Sequence, residues 1–342
     1  MVTTPLCDAL GIEVPIWNAG MGGGLAGPEL AAAVCNAGGL GVLGMGGLPT
    51  PAIRDSIRDL SALTDRPFGV NLIMPLMDEE AVACCLDERV PVLVLFWGDP
   101  GPYVEDAHRV GTKLLVQCGS VEEARQTAAA GADAVMVQGV EAGGHVRGTT
   151  ALSVLLPATV EAVAPLPVVA AGGLATGRGV AAALDLGAQA VSLGTRFLCS
   201  EESRAAPEYK QRIVAAGAED TIYTKIFDVG WPDAAHRVLR NTAVREWEAA
   251  GSLPVGERAG EGEVIGKMPV AGEIVDLPRY GVFMPLEGFE GDLEHAVLYS
   301  GQSCTLVNDV LPAAQIVHDL VQTADALIAA RTVQYRDRQP SP

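Results

Sequence analysis

Continuous apolar runs recur along the chain, and most are followed by an Ala-rich stretch with helical spacing. The runs fall at 13–18, 39–43, 68–72, 90–96, 113–117, 133–138, 167–171 and 189–193. Their apolar residues are consecutive rather than alternating, as parallel strands covered on both faces require. The segments 28–36, 52–63, 79–87, 104–110, 121–130, 153–164 and 178–186 read as helices. Ser120 and Thr176 stand where N-caps are expected, and Gly131 and Gly187 where a helix ends in a left-handed residue. This order predicts an α/β fold, a closed (β/α)8 TIM barrel; an open doubly wound sheet is the alternative.

The pattern changes after Ser203. Residues 205–292 mix Pro, Gly and charge, with one clear helical stretch near 242–250. The division expected is a barrel over 1–204, a smaller cap domain over 205–292, and a closing segment over 293–342. In the last segment an amphipathic helix at 312–331 packs back on the barrel, and the tail 337–342 frays.

Charge narrows the partners. The formal net charge is −19, from 42 acidic and 23 basic residues. Nucleic acid and anionic membrane surfaces both need clustered Lys and Arg, so neither is expected. The seven cysteines are Cys7, Cys35, Cys84, Cys85, Cys118, Cys199 and Cys304, an odd number without C-x-x-C spacing. That argues against structural zinc and disulfides, and for a reducing compartment. No signal peptide or membrane-length apolar run is seen, so the cytoplasm is the expected location. No metal is expected, and a homodimer is left open.

In a barrel, chemistry belongs where strands hand over to loops at their C-terminal ends. After the first strand, Gly22-x-Gly24-x-x-Gly27 matches a dinucleotide fingerprint. The acid that such a site needs after the second strand is missing from 42–50. The loop is either a tight turn or a bare platform for a flat ring, with Met21 over it. Asn71, Gln117 and Gln138, after the third, fifth and sixth strands, can form a neutral hydrogen-bonding rim; alone, each can equally satisfy its own loop.

The stretch Val137-Gln-Gly-Val-Glu-Ala-Gly-Gly-His145-Val-Arg-Gly148 surrounds one imidazole with small residues. Gly143 and Gly144 allow close approach, and His145 suits proton transfer or anion binding. Glu141 is a second acid-base candidate or a structural carboxylate. Gly172 and Gly173 after the seventh strand, with Gly194 and Thr195 after the eighth, can bind phosphate through backbone N–H groups.

These residues resemble the nitronate monooxygenase family, formerly 2-nitropropane dioxygenases. The matching segments are Ala19-Gly-Met-Gly-Gly, Asn36-Ala-Gly-Gly-Leu40, Pro67-Phe-Gly-Val-Asn71, Gln138-Gly-Val-Glu-Ala-Gly-Gly-His145, Ala171-Gly-Gly-Leu-Ala-Thr-Gly-Arg178 and Leu193-Gly-Thr-Arg-Phe197. The resemblance is poorest over 205–292. It implies non-covalent FMN, with Met21, Gly22, Asn71 and Gln138 at the ring or ribityl chain and Gly143 and Gly144 on the approach. It places the phosphate on Gly172, Gly173, Gly194 and Thr195, and makes His145 the active-site histidine. The implied reaction takes a small anionic nitronate and O2 to a carbonyl compound and nitrite.

A protein at −19 does not attract such an anion from a distance. A locally positive site is therefore expected, from Arg147, Arg196 or Lys225; Tyr223 and Tyr299 can line the pocket or pack elsewhere. The rivals are a flavin-dependent enoyl-acyl-carrier-protein reductase, an NADH:quinone reductase on the same scaffold, and a non-catalytic flavin-binding protein.

Overall fold

The structure is a computed structural model that describes residues 2–336, with side chains through residue 330. The tail 337–342, expected to fray, lies outside the described residues. All eight apolar runs are strands: β1 (Ile16–Asn18), β2 (Gly41–Gly44), β3 (Phe68–Ile73), β4 (Val92–Phe96), β5 (Lys113–Cys118), β6 (Ala134–Gln138), β8 (Val168–Ala171) and β9 (Ala190–Leu193), with the two-residue β7 (Gly144–His145) between β6 and β8. The eight long ones pair in parallel in the order β1-β9-β8-β6-β5-β4-β3-β2.

The circle closes between β1 and β2. Leu40 N donates to Ile16 O at 3.0 Å. The buried Asn18 side chain then continues the ladder, its Nδ2 donating to Val42 O at 2.8 Å and its Oδ1 accepting from Val42 N at 2.9 Å. The fold is the expected TIM barrel.

Alternate strand residues face two cores. Val42, Val92, Val94, Leu115, Met136 and Val169 fill the barrel interior around Trp17. Leu43, Leu93, Leu95, Val116, Val135 and Val137 face outward to the helices. Both faces are dry, which is why the runs have no polar alternation. The short α1 (Pro5–Leu10) was not foreseen; its Leu6, Cys7 and Leu10 join the interior cluster.

The outer layer is α2 (Pro28–Asn36), α3 (Thr50–Leu63), α4 (Ala81–Asp87), α5 (Gly101–Val110), α6 (Val121–Ala129), α7 (Leu152–Val163), α8 (Gly177–Asp185) and the single turn α9 (Thr195–Leu198). Ser120 Oγ accepts from Glu123 N at 3.2 Å and Thr176 Oγ1 from Gly179 N at 3.4 Å, so both caps form as expected. Gly131 and Gly187 take φ of 94° and 97°.

Residues 205–292 contain a helix that the sequence did not suggest. The α10 helix (Pro207–Val214) precedes α11 (Thr242–Ala249). Only Tyr209, Lys210 and Ile213 of α10 are buried, too few for a visible period. Strands β10 (Thr221–Thr224) and β11 (His236–Leu239) form an antiparallel pair, and β11 also pairs with β7, setting His236 opposite His145. A ribbon of β12 (Val264–Val270), β13 (Glu273–Pro278) and β14 (Glu290–Gly291) completes this region. The closing helix α12 (Ala313–Arg336) packs Ile316, Val317, Leu320 and Val321 into the core shared with Val180 and Ala181 of α8. Gly177 makes the approach possible, because a Cβ there would lie 2.5 Å from Leu320 O. Among the described residues, no helix is long and apolar enough to cross a membrane.

Candidate active site

The C-terminal mouth of the barrel opens into a cavity of about 1170 Å³, measured out to its open edge. Met21, Gly22, Asn71, Gln117, Gln138, Gly143, Gly144, His145, Gly172, Gly173, Gly194 and Thr195 all line it. The structure therefore gathers the flavin-site candidates and the imidazole around one cavity, whereas Glu141, Arg147, Arg196, Lys225 and Tyr223 do not line it. Asn71 lies inside β3 rather than at its end, and its Nδ2 donates to Val94 O at 3.1 Å.

The glycines divide into two groups. A Cβ on Gly44 would meet Met21 O at 1.8 Å, and one on Gly143 would meet Gly301 N at 2.3 Å. These positions are bare because another stretch of backbone crosses them. Gly144 (φ 77°) and Gly194 are different. A Cβ on Gly144 would find nothing within 4 Å, and one on Gly194 only Ala19 Cβ, at 3.7 Å. Their bareness leaves room for something outside the chain.

Several polar atoms have no protein partner. Gln138 Nε2 donates to His145 O at 3.0 Å, leaving Gln138 Oε1 buried and unpaired. His145 Nε2 and Ser192 Oγ are also buried without partners. Buried polar groups are normally bonded, so this set on one cavity wall calls for a ligand. Thr195 Oγ1 accepts from Gly301 N at 3.0 Å, which leaves its hydrogen free to donate.

His145 lies among rings. Trp231 is 4.2 Å away between centroids, Tyr299 5.4 Å, and His236 5.5 Å, edge-on. Burial, with a smaller contribution from His236, pushes the His145 imidazole down to about 3. It is neutral at pH 7 and a weak base. Glu141 is structural: its carboxylate accepts from Leu152 N at 3.0 Å, at the start of α7.

The expected positive patch does not form. No Asp, Glu, Lys or Arg lines the cavity among the described residues. Arg147 pairs with Glu123, the buried Arg196 binds Asp309 at 2.8 Å, and the exposed Lys225 binds Asp233 at 3.3 Å. Each cation is consumed by a nearby carboxylate of this acidic chain. Tyr299 lines the cavity, whereas the Tyr223 hydroxyl donates to Val146 O at 3.1 Å, away from it.

Sequence reading missed Ser192, Tyr209, Val282, Phe283 and Met284. A hydroxyl inside an apolar strand was a visible signal for Ser192. The other four come from outside the barrel repeat, and only folding brings them in.

Sequence and fold both have known counterparts. Residues 3–82 and 77–323 match the nitronate monooxygenase family. A Mycobacterium tuberculosis protein, (3aS,4S,5R,7aS)-5-hydroxy-7a-methyl-1-oxo-octahydro-1H-indene-4-carboxyl-CoA dehydrogenase, is 34% identical, over 95% of this chain and 99% of its own. The nitronate monooxygenase of Paraburkholderia phytofirmans is 31% identical, over 92% of this chain and 93% of its own. The solved structure of FabK from Thermotoga maritima is 36% identical, with a TM-score of 0.79 over 98% of this chain and 100% of that one. The chain thus belongs to the nitronate monooxygenase family, as a flavin-dependent oxidoreductase.

Proposed function

We propose that the cavity binds FMN and that the enzyme exchanges electrons with the uncharged acyl part of a thioester beside His145. The observation that carries this reading is the charge-free wall. Beside the glycines and the neutral polar groups, Ile73, Leu76, Phe96, Val282, Phe283 and Met284 line it, a surface for an apolar body. An anionic substrate beside His145 would lose hydration and meet no charged side chain. The CoA dehydrogenase named among the relatives points to the same substrate class. The net charge of −19 resists the CoA phosphates, so in this reading they stay outside the barrel.

The residues fit FMN. Met21, Gly22, Asn71, Gln117 and Gln138 would hold its ring and ribityl chain, with the unpaired Gln138 Oε1 and Ser192 Oγ as partners. Gly143 and Gly144 line the approach. Gly172, Gly173, Gly194 and Thr195 would take the phosphate through backbone N–H groups and one hydroxyl. The flavin, when bound, supplies the redox chemistry. His145, neutral and with a low proton affinity, donates a hydrogen bond to a substrate oxygen rather than removing a proton. The seven thiols are buried and unpaired, and we place the enzyme in the cytoplasm.

The second reading is oxidation of a small anionic nitronate by O2, giving a carbonyl compound and nitrite. The family match and the P. phytofirmans relative favour it, as does a neutral imidazole able to bond a nitro oxygen.

The test is anaerobic. Purified protein, its cofactor identified by mass, is mixed separately with a saturated acyl-pantetheine, with NADH followed by an enoyl-pantetheine, and with propionate 3-nitronate. Flavin bleaching by the acyl thioester, or NADH bleaching reversed by the enoyl thioester, supports the first reading. Bleaching by nitronate alone, with nitrite released in air, moves the conclusion to the second. A flavin that none of them reduces overturns both.

A further inference from the structure

His145 sits on the two-residue strand β7, whose backbone pairs with His236 and Arg237 of β11. That pairing fixes the main chain and leaves the ring to be held by its neighbours. The indole of Trp231 packs on it at 4.2 Å, with the planes inclined by 36°. Trp231 is buried in the 225–235 loop, far from His145 in sequence. Its loop is tied down from several sides: Trp231 N donates to Asp228 O at 3.0 Å, Val229 N to Tyr280 O at 3.0 Å, and Val146 N to Ala235 O at 2.8 Å. Asp228 also forms a buried ion pair with Arg258 at 2.8 Å.

Behind Trp231 stands Trp97, at 5.0 Å and edge-on. Trp97 takes φ 70°, a left-handed conformation that strains a bulky residue. The guanidinium of Arg147 lies 5.3 Å from the Trp97 ring. Since Arg147 is two residues beyond His145, the contacts close a circuit: His145 on Trp231, Trp231 on Trp97, Trp97 under Arg147. Both ends of the His145–Arg147 segment are gripped by one tryptophan pair.

We propose that Trp231 is the positioning residue for His145: its indole holds the imidazole in one orientation and excludes water from it, so the enzyme's histidine works only with the 225–235 loop in place. This rests on His145 being the working imidazole, as proposed above.

The charged and titratable neighbours leave that role to the ring. His236 is locked neutral, with Nδ1 2.9 Å from Ala234 O and Nε2 accepting from Phe227 N at 3.2 Å. Tyr299 donates its hydroxyl to Val282 O at 2.9 Å. Arg237 is spent on Val140 O and Thr221 Oγ1, Arg147 on Glu123, and Glu141 on Leu152 N. On the Trp231 loop, Lys225 and Asp233 pair with each other in solvent. No carboxylate partners His145 among the described residues, so burial beneath the indole, with His236 alongside, keeps its proton affinity low.

The experiment uses the flavin-loaded protein with 15N-labelled histidine, followed by long-range 15N–1H NMR and assigned with His145→Asn. No substrate is needed, so the result stands apart from the choice between thioester and nitronate. In the wild type, the His145 ring protons are expected to be displaced upfield by the indole and to stay in one neutral tautomer down to pH 5. In Trp231→Leu that displacement disappears and the titration of the imidazole moves up above pH 5, towards its unperturbed 6.5. Trp231→Phe restores the wild-type spectrum. A folded Trp231→Leu protein whose His145 stays neutral to pH 5 overturns the proposal. Wild-type His145 signals without upfield displacement also overturn it, even if the variants fail to fold.

Discussion

At the residue scale, the two features most exposed to test are an imidazole and a glycine. His145→Asn keeps a hydrogen-bonding side chain of similar reach but removes the ring stacked under Trp231. Flavin is expected to stay bound, because the phosphate end of the cavity is untouched, while kcat/KM falls by about 10²-fold, the lower end of what one positioned proton-transfer or hydrogen-bonding group contributes. Steady-state kinetics with the substrate found in the anaerobic assay check this, and unchanged kcat/KM removes His145 from the mechanism. The phosphate end is better tested at Gly194 than at Gly173. Gly173 has φ 70°, so any side chain there strains the backbone whatever its charge. Gly194 has φ −90° and room for a Cβ. Gly194→Asp places a carboxylate at the proposed phosphate site in a chain that still folds, and flavin content after purification is expected to drop several-fold, with Gly194→Ala much less affected. A yellow Gly194→Asp protein would move the phosphate elsewhere.

At the scale of elements, the barrel depends on a closure that backbone pairing alone leaves thin. Between β1 and β2 the Asn18 amide takes the place of a peptide group, bonding both Val42 N and Val42 O. Asn18→Ala leaves both backbone groups buried and unpaired, at about 1–3 kcal/mol each. The expected result is a clear loss in urea midpoint, and Asn18→Asp, which cannot donate to Val42 O, is expected to recover little. A midpoint unchanged in Asn18→Ala would mean the seam is held by something else. Asn18 also marks how far the sequence is readable. The strands were visible because both faces of each are dry, and α6 and α8 because Ser120 and Thr176 cap them. Local pattern does not encode which residues cross in space. Nothing near Asn18 announces Val42, and nothing near Gly143 announces Gly301. The same limit hid α10, with three buried positions in eight residues, and Trp231, whose partner lies on another element. The site was legible where it lies on barrel loops, and its charge was misjudged because each candidate cation has a carboxylate partner that only the fold supplies.

For the whole molecule, the joint between β7 of the barrel loops and β11 of the 205–292 region carries its own acid sensitivity. His145 and His236 face each other across the β7–β11 pairing, and burial is the main cause holding them down to about 3 and about 4. In the unfolded chain both return to about 6.5. Between pH 6.5 and 4 the unfolded state therefore binds more protons than the folded one, so stability falls as pH drops through this window. The slope is at most about 1.4 kcal/mol per pH unit for each imidazole. Protonating His236 would also end its acceptance of the Phe227 N–H bond. Glu294 works in the same direction at lower pH. Its contacts with Arg212 and Thr242 outweigh the cost of burial and hold it at about 2, so its contribution is full above 4.5 and lost as pH falls towards 2. The urea midpoint is therefore expected to fall steadily from pH 7 to pH 5, above the range in which Glu294 is lost. Tryptophan fluorescence should report the change, since Trp231 and Trp97 lie at the joint. His236→Gln, which retains a donor and an acceptor but does not titrate, should lower that slope by about one proton. A midpoint that is flat from pH 7 to 5 would mean that neither imidazole is held neutral by the fold, and would remove the basis for treating His145 as an uncharged donor.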